Sequence, residues 1–251
     1  MAELTTLIFD VDGTLAETEQ HGHRIAFNQA FAQMQLSWEW SPELYGELLA
    51  VTGGKERIRY YMERFARDFK APADLDGFIA ELHRRKTQCF TRLLAQGQIP
   101  LRTGVARLLK EAKEAGLRLA VATTTTPANV VALLEHCGVP GIATWFEVIA
   151  AGDIVPQKKP APDIYEYVLR EMAVEPQTCI AVEDSANGVK AARGAGLTTV
   201  VTISGYTEND DFSDAALVVD RLGDPENPAR VQSGPPLAGS FVTVEDLRAL
   251  L

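Results

Sequence analysis

Cysteine is scarce in this chain, 3 in 251 residues. Cys89, Cys137 and Cys179 stand far apart without metal-ligand spacing, and an odd count argues against a disulfide framework. Positive charge is also in short supply. With 24 Lys and Arg against 34 Asp and Glu the formal net charge is −10, so nucleic acid is not an expected partner. Long apolar runs are missing too; those present are strand-sized, far short of the roughly 20 residues a membrane span needs. The opening Met1-Ala2-Glu3-Leu4-Thr5 lacks a basic stretch followed by an apolar core, so no secretory signal is expected. These absences predict a cytoplasmic protein with no membrane partner; a monomer is the expected state, though the sequence does not fix it.

What is present is ordinary globular composition, 46% hydrophobic and 23% charged. The length suits one large core, or a core with a smaller domain. Thr5 to Phe9 is a short apolar run that ends abruptly in acidic residues and glycine, and reads as a buried strand. From Thr18 to Leu94 apolar residues recur at helical spacing, as in Ile25, Phe27, Phe31 and Met34, and predict about four helices. After Pro100 strands and helices alternate. The predicted strands are Leu117 to Ala122, Phe146 to Ala150, Thr178 to Val182, Thr198 to Ile203 and Ala215 to Val219. Between them, helices are predicted from Val105, Pro127, Pro162 and Ala186. Such alternation predicts an α/β, Rossmann-like doubly wound parallel sheet. Leu222 to Gly239, rich in Pro and Gly, reads as irregular, ahead of a short helix around Val244 to Leu250.

Ligands of such sheets bind beyond the carboxyl ends of the strands, and chemistry-bearing residues gather at those ends here. Asp10-Val11-Asp12-Gly13-Thr14 follows the first strand. Alone, an Asp-x-Asp is more often a pair of acidic turn residues. At a strand end, Asp10 is placed to attack phosphorus and ligate a cation, with Asp12 as general acid and then base. Thr123-Thr124-Thr125-Thr126 precedes a helix, where hydroxyls and free N–H groups suit a phosphate; one of Thr125 and Thr126 is expected to cap that helix. Lys158-Lys159-Pro160 offers a point charge. Glu183-Asp184 ends another apolar strand; adjacent buried acids are costly unless a cation or hydrogen bonds satisfy them, and Mg2+ takes oxygen ligands.

Taken in order, these motifs resemble the haloacid-dehalogenase superfamily of phosphotransferases. The resemblance implies a core of residues 1–16 and 97–251 with an inserted four-helix cap domain over 17–96. It implies Asp10 as nucleophile, Asp12 as general acid/base, and Thr123 and Lys159 on the phosphoryl oxygens. Mg2+ would be held by Asp10, Asp184 and the Asp12 carbonyl, with Glu183 close by. Because the dehalogenase branch lacks the second aspartate, Asp12 favours a phosphoryl substrate.

Further cues are Glu17-Thr18-Glu19, Gly22-His23-Arg24, Thr52-Gly53-Gly54-Lys55-Glu56-Arg57 and Lys159-Pro160-Ala161-Pro162-Asp163. They are similar to the β-phosphoglucomutase-like group, and most to its CbbY-type sugar-bisphosphate phosphatases of the Calvin cycle. That likeness implies xylulose-1,5-bisphosphate, a Rubisco inhibitor, as substrate. A second phosphate needs cations: Lys86 is the leading candidate, then Lys55 and Arg59, which share a helix face. Glu17, His23, Gly53, Gly54, Thr124, Thr125 and Thr126 complete the expected substrate contacts. Arg57 and Arg84 read as solvated, His83 and His136 as structural. A sugar-phosphate mutase is the nearest alternative. A silent binding protein would have lost one of Asp10, Asp12, Lys159 or Asp184, and none is missing.

Overall fold

The computed structural model describes residues 3–97 and 99–251; Met1, Ala2 and Gln98, which fall within the expected core ranges, lie outside it. One seven-stranded sheet has the order β3-β2-β1-β4-β5-β6-β7. The central β1 (Thr6–Phe9) lies parallel to β2 (Arg118–Thr123) on one side and β4 (Cys179–Glu183) on the other. β3 (Phe146–Ala151), β5 (Thr198–Thr202) and β6 (Leu217–Val219) extend it in parallel. The chain runs from β1 outward to β2 and β3, then crosses back to β4. Strand order therefore reverses between β1 and β4, which is where a cleft opens at the carboxyl ends.

Alternation along the strands supplies both faces of the sheet. Leu7, Phe9, Val121 and Val182 share a cluster with Leu108 of α5 (Val105–Glu114), Leu133 of α6 (Pro127–His136) and Leu247 of α9 (Val244–Arg248). Ile8, Ala120, Ala122 and Ala181 point the other way. They meet Ile164, Tyr165 and Val168 of α7 (Asp163–Met172) and Ala191 of α8 (Ala186–Gly194). Small residues on this face leave room for the Tyr165 ring, fully buried beneath the cleft.

The segment expected to be irregular contains one strand. β7 (Val231–Ser233) pairs antiparallel with β6 and makes the sheet mostly, not wholly, parallel. Its three exposed residues carry no apolar alternation, so nothing in the sequence marked it. Arg107 pins the segment around it, donating to the carbonyls of Gly223 (3.0 Å) and Val242 (2.6 Å).

The helical region contains α1 (Arg24–Gln33), α2 (Pro42–Leu48), α3 (Gly54–Arg64) and α4 (Leu75–Ala95), with one π-helical turn (Glu19–His23) leading into α1. Its own core is aromatic: Phe27, Phe31, Trp40, Tyr45 and Tyr61 pack with Leu48, Ile58 and Leu82. Helix α4 belongs to both bodies, because Cys89, Phe90 and Leu94 pack in the sheet cluster of Leu7 and Phe9. Among the described residues no helix is long and apolar enough to cross a membrane.

Candidate active site

Asp10 leaves the end of β1 and is buried at 7% exposure. Lys159, before α7, donates from Nζ to Asp10 Oδ1 (2.7 Å), Glu183 Oε1 (2.6 Å) and the Ala122 carbonyl (2.9 Å). All three ammonium donors are thereby used. Tyr165 reaches up from α7 and donates its hydroxyl to the same Glu183 oxygen at 2.5 Å. Thr123, at the end of β2, is buried beside them in the cleft with Asp184.

Asp10, Glu183 and Asp184 form a buried group in which one oxygen from each lies within 4.8 Å of the others. Their chemistry fits a hard divalent cation, which prefers oxygen ligands. The charge balance fits as well. Burial pushes the Asp10 carboxyl up to about 7, with Lys159 pulling against it and Glu183 and Asp12 adding to the rise. Asp184 is raised well above the carboxylate range by burial, and further by Asp10 and Glu183. Burial alone would lower Lys159, but Asp10 and Glu183 outweigh it and hold the ammonium charged. Three buried carboxylates against one lysine leave an excess of negative charge that a cation would neutralise. Gly13 makes the packing possible: it has φ +87°, and a Cβ there would stand 2.1 Å from Asp184 Oδ2.

The Asp12 carboxylate is not in that group. Its Oδ1 accepts from Thr18 Oγ1 (2.5 Å) and lies 2.8 Å from His23 Nε2. His23 Nδ1 is 2.8 Å from Lys86 Nζ. An ammonium has no acceptor, so Nδ1 receives from Lys86 and Nε2–H donates to Asp12. His23 is held flat by Phe90, with ring centroids 3.8 Å apart. Burial would raise Asp12, but the His23 imidazole, its hydrogen bond and that of Thr18 overcome this and keep the carboxyl well below its usual range. Lys86 is itself buried, which brings its ammonium down to about 8 against the pull of Asp12 and Glu19.

Two cavities meet at Asp12. The first, of ≈ 340 Å³, holds Asp10, Asp12, Thr123, Thr124, Lys159 and Asp184. A second, of ≈ 40 Å³, is bounded by His23, Gly53, Gly54, Lys86 and Thr124 to Thr126, and shares Asp12, Glu19, Arg57 and Thr124 with the first. A larger groove of ≈ 720 Å³ lies outside both, past Arg102, where Glu17 pairs with Arg102 and Arg221 with Asp220. The smaller cavities, by contrast, hold the buried carboxylates together with Lys86, Arg57 and Lys159.

Several expected residues stand elsewhere. Glu17 faces the outer groove, 2.9 Å from Arg102 Nε. Arg59 pairs with Asp76 on an exposed face, and Lys55 pairs with Asp153 at the rim, both at 2.5 Å. Glu183 sits behind Asp10 rather than on the cavity wall. Neither Thr125 nor Thr126 caps α6 through its side chain: Thr125 Oγ1 accepts from Asn129 (2.8 Å), and Thr126 Oγ1 has no partner among the described residues.

Arg57, expected in solvent, is buried and donates to the Tyr45 hydroxyl (2.9 Å), which in turn bonds Glu19. It precedes Ile58 and lies four before Tyr61, on the apolar stripe of α3, so periodicity did mark it. His83, expected to be structural, borders the second cavity and is pushed down to about 3 by burial and by Lys86, Lys55 and Lys158. Asn129 went unnoticed, although it too is a polar residue on an apolar stripe, four before Leu133.

A family described as haloacid dehalogenase-like hydrolase matches residues 4–196. Protein CbbY of Cereibacter sphaeroides is 49% identical over 221 residues, 88% of this chain and 94% of its own length. The plasmid-borne CbbY of Cupriavidus necator is 45% identical over 250 residues, covering 98% and 96%. A crystal structure of the D10N mutant of CbbY from Rhodobacter sphaeroides, in complex with xylulose-1,5-bisphosphate, matches with a TM-score of 0.80 at 50% identity, covering 87% of this chain and 94% of that one. Ordered strand-end motifs, the buried carboxylates and these likenesses agree: the chain belongs to the haloacid dehalogenase-like hydrolases, in their CbbY branch.

Proposed function

We propose that this protein is a cytoplasmic, Mg2+-dependent phosphatase that removes one phosphate from a sugar bisphosphate, with xylulose-1,5-bisphosphate the leading substrate. The observation that carries the reading is the pair of adjoining cavities. One is built around Asp10 and Lys159; the other places Lys86, His23 and Arg57 across Asp12. A bisphosphate presents a phosphate to each. The D10N relative bound to xylulose-1,5-bisphosphate supports the choice of sugar.

In this reading Asp10 Oδ attacks phosphorus, the P–O bond to the sugar breaks, and the phosphoryl group rests on Asp10. Lys159 and Thr123 hold the phosphoryl oxygens. Asp12 delivers a proton to the leaving oxygen, then takes one from the water that attacks the phosphoaspartate, releasing inorganic phosphate. In the free protein Asp12 is held ionised by His23 and Thr18, as its second role requires; its first requires a proton gained when substrate binds. A divalent cation on Asp10, Asp184, the Asp12 carbonyl and nearby Glu183 would supply charge neutralisation at the reacting phosphate. The helical region serves as a cap, closing over the sugar and excluding water. Thr124 to Thr126 and Lys86 hold the second phosphate.

The test is a phosphate-release screen over pentose and hexose mono- and bisphosphates with Mg2+. Steady release of one phosphate per bisphosphate is expected. An isomerised sugar phosphate without net release would replace this reading by a mutase.

A further inference from the structure

We propose that Arg102 is a positioning residue that fixes Asp184, and through it sets the affinity of the carboxylate group for its cation. The inference rests on reading Asp10, Glu183 and Asp184 as metal ligands.

Arg102 follows the second crossing between the helical region and the sheet, and its N–H donates to the Leu15 carbonyl (2.8 Å). Its side chain is only 9% exposed. From there the guanidinium donates to the carbonyls of Gly13, Thr202 (2.9 Å), Ile203 (2.5 Å) and Asp220 (3.2 Å), while Nε pairs with Glu17. One fork thus ties the loop after β1 to the ends of β5 and β6.

Two of those carbonyls belong to the walls around Asp184. Gly13 is the wall on one side, where even a Cβ would meet the carboxylate. Ile203 precedes Ser204, which lines the cleft with Asp184 and whose hydroxyl favours the ionised carboxylate. The direct bond from Thr14 Oγ1 to Asp184 Oδ1 is long, at 3.5 Å. Asp184 is therefore placed chiefly by its walls, and Arg102 clamps both. Asp10 and Glu183 repel Asp184, so a loosened wall would let it swing away from them. A lysine cannot substitute, because its ammonium lacks the rigid planar fork that meets separate carbonyls at once. Partners of this kind, one step behind the ligands, set ligand orientation.

Arg107 offers an internal control, since it also binds backbone carbonyls, those of Gly223, Leu222 and Val242, away from Asp184. The experiment is calorimetric titration of Mg2+ into the purified full chain, alongside thermal melts, for wild type, Arg102→Lys, Arg107→Lys and Thr202→Val. Arg102→Lys should weaken Mg2+ binding about 10–100-fold, the range for lost partners behind metal ligands. Arg107→Lys should lower Tm and leave the Mg2+ Kd unchanged. Thr202→Val removes only a hydroxyl that accepts from Arg102 at 3.0 Å, and should weaken binding less, in the same direction. An unchanged Kd in Arg102→Lys, or an equal loss in Arg107→Lys, overturns the inference alone. Should Arg102→Lys fail to fold, an unchanged Kd in Thr202→Val overturns it. Absence of Mg2+ binding by the wild type removes the metal reading, and this inference with it.

Discussion

Lys86 and Asp10 are both buried, and the pH behaviour of each follows from what surrounds it. Lys86 titrates near 8 in the free protein. Below that pH it is a cation facing the second cavity; above it, the charge that would attract a phosphate is lost. Turnover of a bisphosphate should therefore show KM rising above about pH 8 in a pH series of initial rates, a rise that a monophosphate does not share. Lys86→Ala should reproduce that contrast at neutral pH, raising KM for the bisphosphate about tenfold or more, the scale of one lost charge-assisted bond. Equal effects on both substrates would remove Lys86 from the second phosphate. At this scale the sequence was legible in placement where motif and strand end coincide, as at Asp10, Asp12 and Asp184, which the fold brings to one cleft; Lys159 joins them from the loop before α7. It misled where charge alone was the guide: Arg59 and Lys55 are basic and near the right turn, yet their helix face points to Asp76 and Asp153. Arg57, on the buried face of the same helix, is the cation that reaches the cavities.

Among the elements, α4 carries the packing between the helical region and the sheet body, while α3 and α8 add polar contacts at its edge. Lys55 and Glu56 at the start of α3 reach Asp153 and Lys158 of the sheet body, and Asn187 of α8 donates to Thr52 (3.2 Å). These are largely exposed ion pairs, so Asp153→Asn should cost under about 1 kcal/mol by denaturant melts. Its effect should fall on KM rather than on stability if α3 moves with the cap. Helix α8 is less forgiving. A Cβ at Gly188 would lie 1.9 Å from Glu183 Oε2. Gly188→Ala should destabilise by about 1–3 kcal/mol, as overpacking does, and should also disturb the Glu183–Lys159 pair, seen as a fall in kcat. The strands and helices of the sheet body were readable because apolar period and Gly or Pro punctuation agreed. The strand β7 was not, since an exposed edge strand of three residues has no pattern to display. The π-helical turn before α1 was invisible too, because its spacing differs little from that of a helix.

Across the whole molecule, the sheet gathers carboxylates at the switch between β1 and β4, and the helical region brings cations over them. Composition showed only a net charge of −10; the separation of charge at the cleft emerges from the fold. It has a consequence for stability. The folded pKa of Asp10, about 7, lies above the unfolded value of about 3.9. Stability from its bound proton is full at low pH and is lost as pH rises through about 7, because the unfolded chain gives up that proton more readily. A divalent cation takes the place of the proton. Mg2+ should thus raise Tm more at pH 8 than at pH 5, and its binding at pH 7 should release protons, read from calorimetry in buffers of different ionisation enthalpy. A Tm gain independent of pH would contradict that linkage. The central claim, that Asp10 receives the phosphoryl group of a sugar bisphosphate, is tested most directly by rapid quench with xylulose-1,5-bisphosphate carrying labelled phosphate. Wild type with Mg2+ should show label on the peptide containing Asp10 before inorganic phosphate appears, and Asp10→Asn should show neither. Phosphate release by Asp10→Asn at a rate near that of the wild type would contradict the account.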